Sequence, residues 1–295
     1  MLKRVFGTML AALLLVGGLA GCVNNGGETG GKETVKLAYV NWAEGIAMTN
    51  LAAVILEDKM GYEVDLTMAD AAPVFTSLAS GNTDVFLDVW LPVTHEAYME
   101  KYGENIVDLG TVYENAFLGL VVPSYVEVNS IEELNDNKEL FGGEIVGIDS
   151  GAGLMAATER AIEQYDLDFK LLTGSGPTMT AALRKAIDGN KPIVVTGWAP
   201  HWMFAKWDLK VLEDPNKIFG EAENIHKYSR EGLEEDMPEV TAFLKKMKLT
   251  EDELGDLMGA IEDGSGEPLD IARSWMNSHE ALVNEWLDEA ALQAA

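Results

Sequence analysis

The sequence predicts an α/β protein of two similarly built lobes that face each other across a cleft. An internal duplication is the first sign: residues 73–90 read PVFTSLASGNTDVFLDVW, and residues 177–198 read PTMTAALRKAIDGNKPIVVTGW. Both open with Pro-x-aromatic/Met-Thr, run on as a short amphipathic stretch, reach Gly-Asn and end on a Trp eight residues after that Asn. The second sign lies upstream of each copy, where a strand ends in a small-residue loop that leads into a helix. These units recur at a spacing of about 104 to 108 residues, too long for a solenoid repeat and suited to two α/β lobes. Composition is the third: 295 residues, 47% hydrophobic and 24% charged, give room for one large domain or two ordinary ones.

Lys3 and Arg4 precede an apolar run from Val5 to Ala20, shorter than a spanning helix and typical of a secretory signal. Leu19-Ala20-Gly21-Cys22 then places small residues at a cut site and the single cysteine last. This is either a plain signal peptide or a bacterial lipoprotein signal, in which the Cys22 thiol is alkylated by diacylglycerol. Residues 1–22 are thus expected to be a signal peptide and the Gly/Asn-rich residues 23–33 a flexible tether. The expected location is extracytoplasmic, lipid-anchored to the cell membrane, with no crossing of it.

Val35 to Val40 form the first expected strand, followed by the loop Asn41-Trp42-Ala43-Glu44-Gly45. In the first copy, Pro73 suits the N1 position of a helix and Gly81-Asn82 a left-handed C-cap. A β-branched and aromatic strand then ends at Trp90-Leu91-Pro92. Glu144 to Ile148 and the loop Asp149-Ser150-Gly151-Ala152-Gly153 repeat the upstream unit, with a helix expected from Met155 to Tyr165. Pro177 opens the second copy, Gly189-Asn190 caps it, and Trp198-Ala199-Pro200 closes its strand; its helix is longer by four residues. Beyond Asp214 the chain turns acidic and helical, with apolar periodicity over residues 233–247, 250–262 and 268–287 that places Trp275 and Trp286 in packing positions.

The charge balance is 21 Lys+Arg against 49 Asp+Glu, a net −28. Such a field repels phosphate backbones and argues against nucleic-acid binding. One cysteine excludes a cysteine-based metal site and four histidines leave little room for a histidine-rich one; no metal or cofactor is expected.

In α/β lobes, ligands sit beyond the carboxyl ends of the strands. Trp42, Trp90 and Trp198 all fall at strand-to-loop junctions. Their residue type suits a quaternary ammonium, which has no N–H to donate and is met by π faces. Three faces contribute about 2–6 kcal/mol together, short of the roughly 8 kcal/mol of micromolar binding. A second anchor is therefore expected. The loop from Ser150 to Gly153 is either an ordinary tight turn or an anion site at a helix start, where free N–H groups would meet a carboxylate. His95, five residues past Trp90, is a donor to that carboxylate or a structural histidine. His201 and His226 are read as structural.

Together, Asn41-Trp42-Ala43-Glu44-Gly45-Ile46-Ala47, Trp90-Leu91-Pro92-Val93-Thr94-His95, Gly197-Trp198-Ala199-Pro200-His201-Trp202 and Gly147 to Leu154 resemble the glycine betaine/proline betaine substrate-binding proteins of ATP-binding-cassette (ABC) importers. The resemblance covers about residues 34–288. It implies a two-lobed periplasmic-binding-protein-like (type II) fold with a ligand cleft and a hinge. Lobe 1 would comprise residues 34–121 plus about 225–288, and lobe 2 residues 122–224. The hinge would lie near Val121-Val122-Pro123 and between Asp214 and Glu223. It further implies an ammonium cage of Trp42, Trp90 and Trp198, a carboxylate site of Gly153, Leu154 and His95, and delivery of the betaine by a monomer to an ABC permease with its ATPase subunit. Ala199 and Ser150 depart from residues found in some relatives, Thr and Pro respectively.

Same-fold binding of choline, carnitine or ectoine is the alternative, and an extracytoplasmic enzyme a more distant one. No G-x-S-x-G elbow is present, since Thr173 stands where the first Gly of the Ser175 motif belongs. His95-Glu96 is not followed by the second His of a zinc-protease helix, and Gly26 to Lys32 lacks the Ser/Thr of a phosphate loop. The chain is not expected to be an enzyme.

Overall fold

A computed structural model describes residues 34–287. The signal and tether segments, with Cys22, lie outside the described residues.

The first half opens with β1 (Thr34–Tyr39), α1 (Ala43–Asp58), β2 (Glu63–Met68), α2 (Ala71–Ala79), β3 (Val85–Leu91) and α3 (Glu96–Tyr102). A long strand, β4 (Ile106–Pro123), leads to α4 (Lys138–Phe141), β5 (Glu144–Val146), α5 (Gly153–Gln164), β6 (Lys170–Leu172), α6 (Gly176–Asp188), β7 (Val195–Ala199), α7 (Met203–Lys206) and β8 (Leu209–Val211). The chain returns through β9 (Glu223–Arg230) and ends in α8 (Leu233–Asp236), α9 (Pro238–Lys246), α10 (Glu251–Asp263), α11 (Pro268–Ser278) and α12 (Glu280–Trp286).

The strand order is β2-β1-β3-β9-β4-β7-β5-β6, with β8 also on β4. β1 is parallel to β2 and β3, and β5 is parallel to β6 and β7. Two parallel βα halves are thus joined through antiparallel β4 and β9, as the duplicated sequence requires. β4 pairs with β9 from Ile106 to Ala116 and with β7 from Phe117 to Val121. One strand therefore belongs to both halves and exchanges partners between Ala116 and Phe117.

Why α1 is central follows from its sequence. Residues Ala47, Met48 and Leu51 to Leu56 are fully buried, so the helix is apolar on every side. Such a helix needs cover all round, and it packs on β3 and beneath α10 and α11. Trp275 and Trp286 are buried in this helical layer.

The two copies fold alike, with differences at their ends. α2 has 9 residues and α6 has 13, the one-turn difference visible in the sequence. Pro73 is the third residue of α2 and Pro177 the second of α6, one or two places inside the expected N1. Ser175 and Thr178 supply a capping box that sets the start of α6 ahead of Pro177. The left-handed residue is Gly81 in the first copy (φ 74) but Asn190 in the second (φ 47). Asparagine tolerates that conformation, so Gly189 is free to remain at φ −90. α5 starts at Gly153, two residues ahead of the expected Met155. The helix expected over 233–247 breaks at Met237, because Pro238 disfavours α geometry in the residue before it and lacks an N–H to continue the ladder.

Candidate ligand-binding site

Each of the three Trp is fixed by its strand or helix end. Trp42 is the N-cap of α1, Trp90 is the penultimate residue of β3 and pairs with Ile225, and Trp198 is the penultimate residue of β7 and pairs with Leu118. Both strand-end Trp are followed by a cis X-Pro bond, Leu91-Pro92 and Ala199-Pro200. The structure brings Trp42, Trp90, Trp198, His95, Gly153 and Leu154 to one small cavity of about 20 Å³, joined by Glu44, Thr94, Leu118, Ile148 and Ala152. A groove of about 500 Å³ borders the outer side of Trp198, lined by residues such as Arg184, Lys185 and Trp202. The buried rings and an unpartnered donor favour the smaller cavity as the candidate site over this more open groove.

Every cage indole donates its N–H to a carboxylate. Trp42 Nε1 donates to Asp149 Oδ2 at 2.9 Å, Trp90 Nε1 to Asp88 Oδ1 at 2.8 Å, and Trp198 Nε1 to Glu44 Oε2 at 2.7 Å. Two of the three bonds cross between the halves, and they do so reciprocally. Trp42 of the first half is held from the β5 loop, while Trp198 of the second is held from the first turn of α1. The N–H edges of all three rings are thus occupied by carboxylates. Trp42 also stacks on His95 with centroids 5.9 Å apart. His201 packs edge-on to Trp198 at 4.6 Å, so this structural histidine props a cage ring from behind.

His95 is positioned by its own loop. The backbone N–H of Trp90 donates to His95 Nδ1 at 3.0 Å, which assigns the ring proton to Nε2. That Nε2–H is buried without a partner in a residue that lines the cavity. Burial lowers the His95 pKa to about 3, so the ring is a neutral donor. Facing it, Gly153 and Leu154 occupy the first turn of α5, where N–H groups have no carbonyl one turn earlier to bond.

The carboxylates carry their own electrostatics. Burial, and then Asp88 beside it, raise Glu44 well above the usual carboxylate range. Burial brings Asp88 up to about 7, and burial also raises Asp149.

Backbone contacts complete the junction. A Cβ on Gly153 would sit 2.0 Å from Thr94 O, so only glycine lets α5 approach the Trp90–His95 loop this closely. Tyr98 donates to Gly151 O at 2.9 Å across the same junction. Glu223 accepts from Thr94 N and Oγ1 and anchors that loop to β9.

Sequence reasoning missed Glu44, Asp88 and Asp149 as partners of the rings. A short-range signal was present for one of them, since Asp88 is two residues before Trp90 on the same strand; Glu44 and Asp149 bond rings of the opposite half. Among the described residues, no group of His, Cys, Asp or Glu is placed to hold a metal ion, and no helix is long and apolar enough to cross a membrane.

Residues 33–278 match the family described as the substrate binding domain of ABC-type glycine betaine transport system (OpuAC). Lactococcal OpuAC, solved closed and complexed with glycine betaine, is 38% identical with a TM-score of 0.82, over 87% of this chain and all of that one. The glycine betaine, L-proline ABC transporter binding protein ProX from Borrelia burgdorferi is 34% identical with a TM-score of 0.84, over 88% of this chain and 98% of that one. The glycine betaine/carnitine transport binding protein GbuC of Listeria monocytogenes is 44% identical over 147 residues, which span about half of each protein, 49% in both cases. The chain belongs to the OpuAC substrate-binding family, with its two-lobed type II binding-protein fold.

Proposed function

We propose that this member of the OpuAC family captures glycine betaine, and proline betaine with it, outside the cytoplasm and delivers it to the permease and ATPase subunits of an ABC importer. The observation that carries the reading is the site itself. Three indole faces, with their N–H edges tied to carboxylates, share a cavity with a neutral His95 whose Nε2–H is unpartnered.

Trp42, Trp90 and Trp198 enclose the trimethylammonium group. The N–H groups of Gly153 and Leu154 and His95 Nε2–H donate to the ligand carboxylate. Each such charge-assisted bond contributes about 1.5–3 kcal/mol, which with the cage's roughly 2–6 kcal/mol reaches the micromolar range. Choline and other ligands without a carboxylate would leave the His95 donor unmatched, which favours a betaine over them.

A cavity of about 20 Å³ among rings at most 5% exposed admits nothing larger than a water unless the halves part. Capture therefore involves hinge opening and closure. We take the lobes as residues 34–116 with about 225–287, and 117–224, the first crossing drawn back from the expected Val121-Val122-Pro123 to the β4 partner exchange at Ala116–Phe117. The second crossing precedes β9. The protein works as a monomer without cofactor or catalysis, held at the membrane by lipid on Cys22.

The test is a tryptophan-fluorescence titration with glycine betaine, with choline and Trp198→Ala alongside. Saturable micromolar binding that Trp198→Ala abolishes supports the assignment. A silent wild type, or choline bound more tightly than glycine betaine, overturns it.

A further inference from the structure

Behind the cage lies a pair of acidic side chains whose presence the aromatic rings do not explain. Glu44 is 1% exposed and lines the cavity, and Asp88 is fully buried. A Cβ on Gly45 would sit 2.6 Å from Asp88 Oδ2, so glycine at this position lets the Asp88 carboxyl lie against the first turn of α1, next to Glu44. Their visible partners are indole N–H groups, Trp198 for Glu44 and Trp90 for Asp88, while Asp88 Oδ2 has none. Among the described residues neither carboxyl forms an ion pair. Two carboxyls in one dry wall cannot both ionise without a counter-charge.

We infer that Glu44 and Asp88 are specificity-determining residues: a coupled acid pair that makes the cage select its ligand by positive charge and not by shape alone. The inference rests on the quaternary-ammonium reading of the site. A cation among the three rings supplies the counter-charge and allows the pair to lose a proton. An uncharged head of the same shape leaves the proton in place.

The sign follows from linkage. The pair loses a proton more readily with a cation bound than with a neutral isostere bound, so preference for the cation grows as pH rises through the titration of the pair. Burial raises both carboxyls, Asp88 to about 7 and Glu44 well above its usual range. The other titratable groups around the cavity are His95 and, against Trp198, His201, both neutral above about pH 3; Asp149, raised by burial and bonded to Trp42; Tyr98 against His95, raised by burial; and Glu223, which accepts from Thr94.

The experiment compares glycine betaine with 3,3-dimethylbutyrate, in which carbon replaces the ammonium nitrogen, by calorimetry between pH 6 and 8.5, where both ligands keep an ionised carboxylate. The wild-type preference for glycine betaine is expected to grow by at least about tenfold across this range. The double variant E44Q/D88N, which keeps oxygen acceptors for both indoles, holds the ratio constant within about twofold. A wild-type ratio that does not change with pH overturns the inference, as does an undiminished rise in the double variant. The wild-type profile decides alone should the double variant fail to fold. A wild type that binds no glycine betaine at any pH refutes the ligand assignment itself, and binding with a flat ratio refutes the acid pair only.

Discussion

Gly153→Ala is the smallest change that tests whether the two halves must meet to bind. The added methyl would lie 2.0 Å from Thr94 O, 2.7 Å from Thr94 Cγ2 and 2.8 Å from Thr94 C. A comfortable C···O approach is about 3.3 Å, so α5 and the Trp90–His95 loop must separate by roughly 1.3 Å. Backbone atoms on the receiving side cannot rotate away as a flexible side-chain tip would. Overpacking of this kind costs about 1–3 kcal/mol, or about 5- to 150-fold in affinity. The cost falls on closure and not on folding, because Thr94 and Gly153 belong to opposite halves and Gly153 does not need a left-handed backbone. The assay is glycine betaine titration by tryptophan fluorescence, paired with thermal unfolding of the ligand-free protein. The expected result is at least about fivefold weaker binding at an unchanged melting temperature. Wild-type affinity in Gly153→Ala would refute the argument that ligand binding requires this contact.

Trp198→Phe keeps a π face but removes the N–H that Glu44 accepts, and should weaken glycine betaine binding by about 5- to 150-fold, the cost of roughly 1–3 kcal/mol for an orphaned buried acceptor; an affinity equal to wild type shows that the cross-half bond contributes nothing. Stability against pH offers a second check. His95 and His201, both lowered to about 3 by burial, bind protons only when unfolded between about pH 3 and 6.5, so each makes stability fall as pH falls through that window. Glu44 and Asp88, both raised, bind protons in the folded state above the usual carboxyl range, so each makes stability fall as pH rises. Asp88→Asn removes one falling contribution, so between about pH 5 and 6.5 its stability should change with pH more positively than that of the wild type by about 1.4 kcal/mol per pH unit; denaturant melts of the two proteins with the same pH slope would contradict this accounting. Lys227, fully buried, donates to Thr111 O and Met247 O and ties β4 to the end of α9. Lys227→Met leaves both carbonyls unpartnered and should lower the melting temperature by several degrees, about 1–3 kcal/mol, with ligand affinity intact; an unchanged melt refutes the role.

The halves were legible in the sequence because a duplication writes the same local chemistry twice. Pro, Gly-Asn and Trp at fixed offsets specify helix start, helix end and strand end from neighbouring residues alone, so α2–β3 and α6–β7 could be placed before any tertiary structure was known. The remaining differences are local substitutes for the same requirement. Asn190 takes the left-handed turn expected of Gly189, and the Ser175 capping box moves the start of α6 ahead of Pro177. The Trp–carboxylate pairs are another matter. Asp88 and Trp90 are two apart on one strand, and alternation puts them on one face. Trp42–Asp149 and Trp198–Glu44 are 107 and 154 residues apart. No periodicity links such pairs, because they depend on how the two halves face each other.

That reciprocity also bears on what drives closure. Trp42–Asp149, Trp198–Glu44 and Tyr98–Gly151 all join the halves through protein groups alone. If those bonds were unopposed, the protein would close without ligand and lose its use as a sensor of occupancy. The buried acid pair opposes them, since closing Trp198 over Glu44 covers a carboxyl that already lies beside Asp88 with no cation to match either. Driving a two-state equilibrium from 1:99 to 99:1 takes about 5.5 kcal/mol of differential binding. Three aromatic faces contribute about 2–6 kcal/mol, most of which is realised only when Trp198 joins Trp42 and Trp90. A ligand that also carries a carboxylate for His95 and the start of α5 touches both halves at both ends. In the proposed mode of binding, the contacts that hold the ligand also hold the halves together, and neither half alone offers more than a fraction of them.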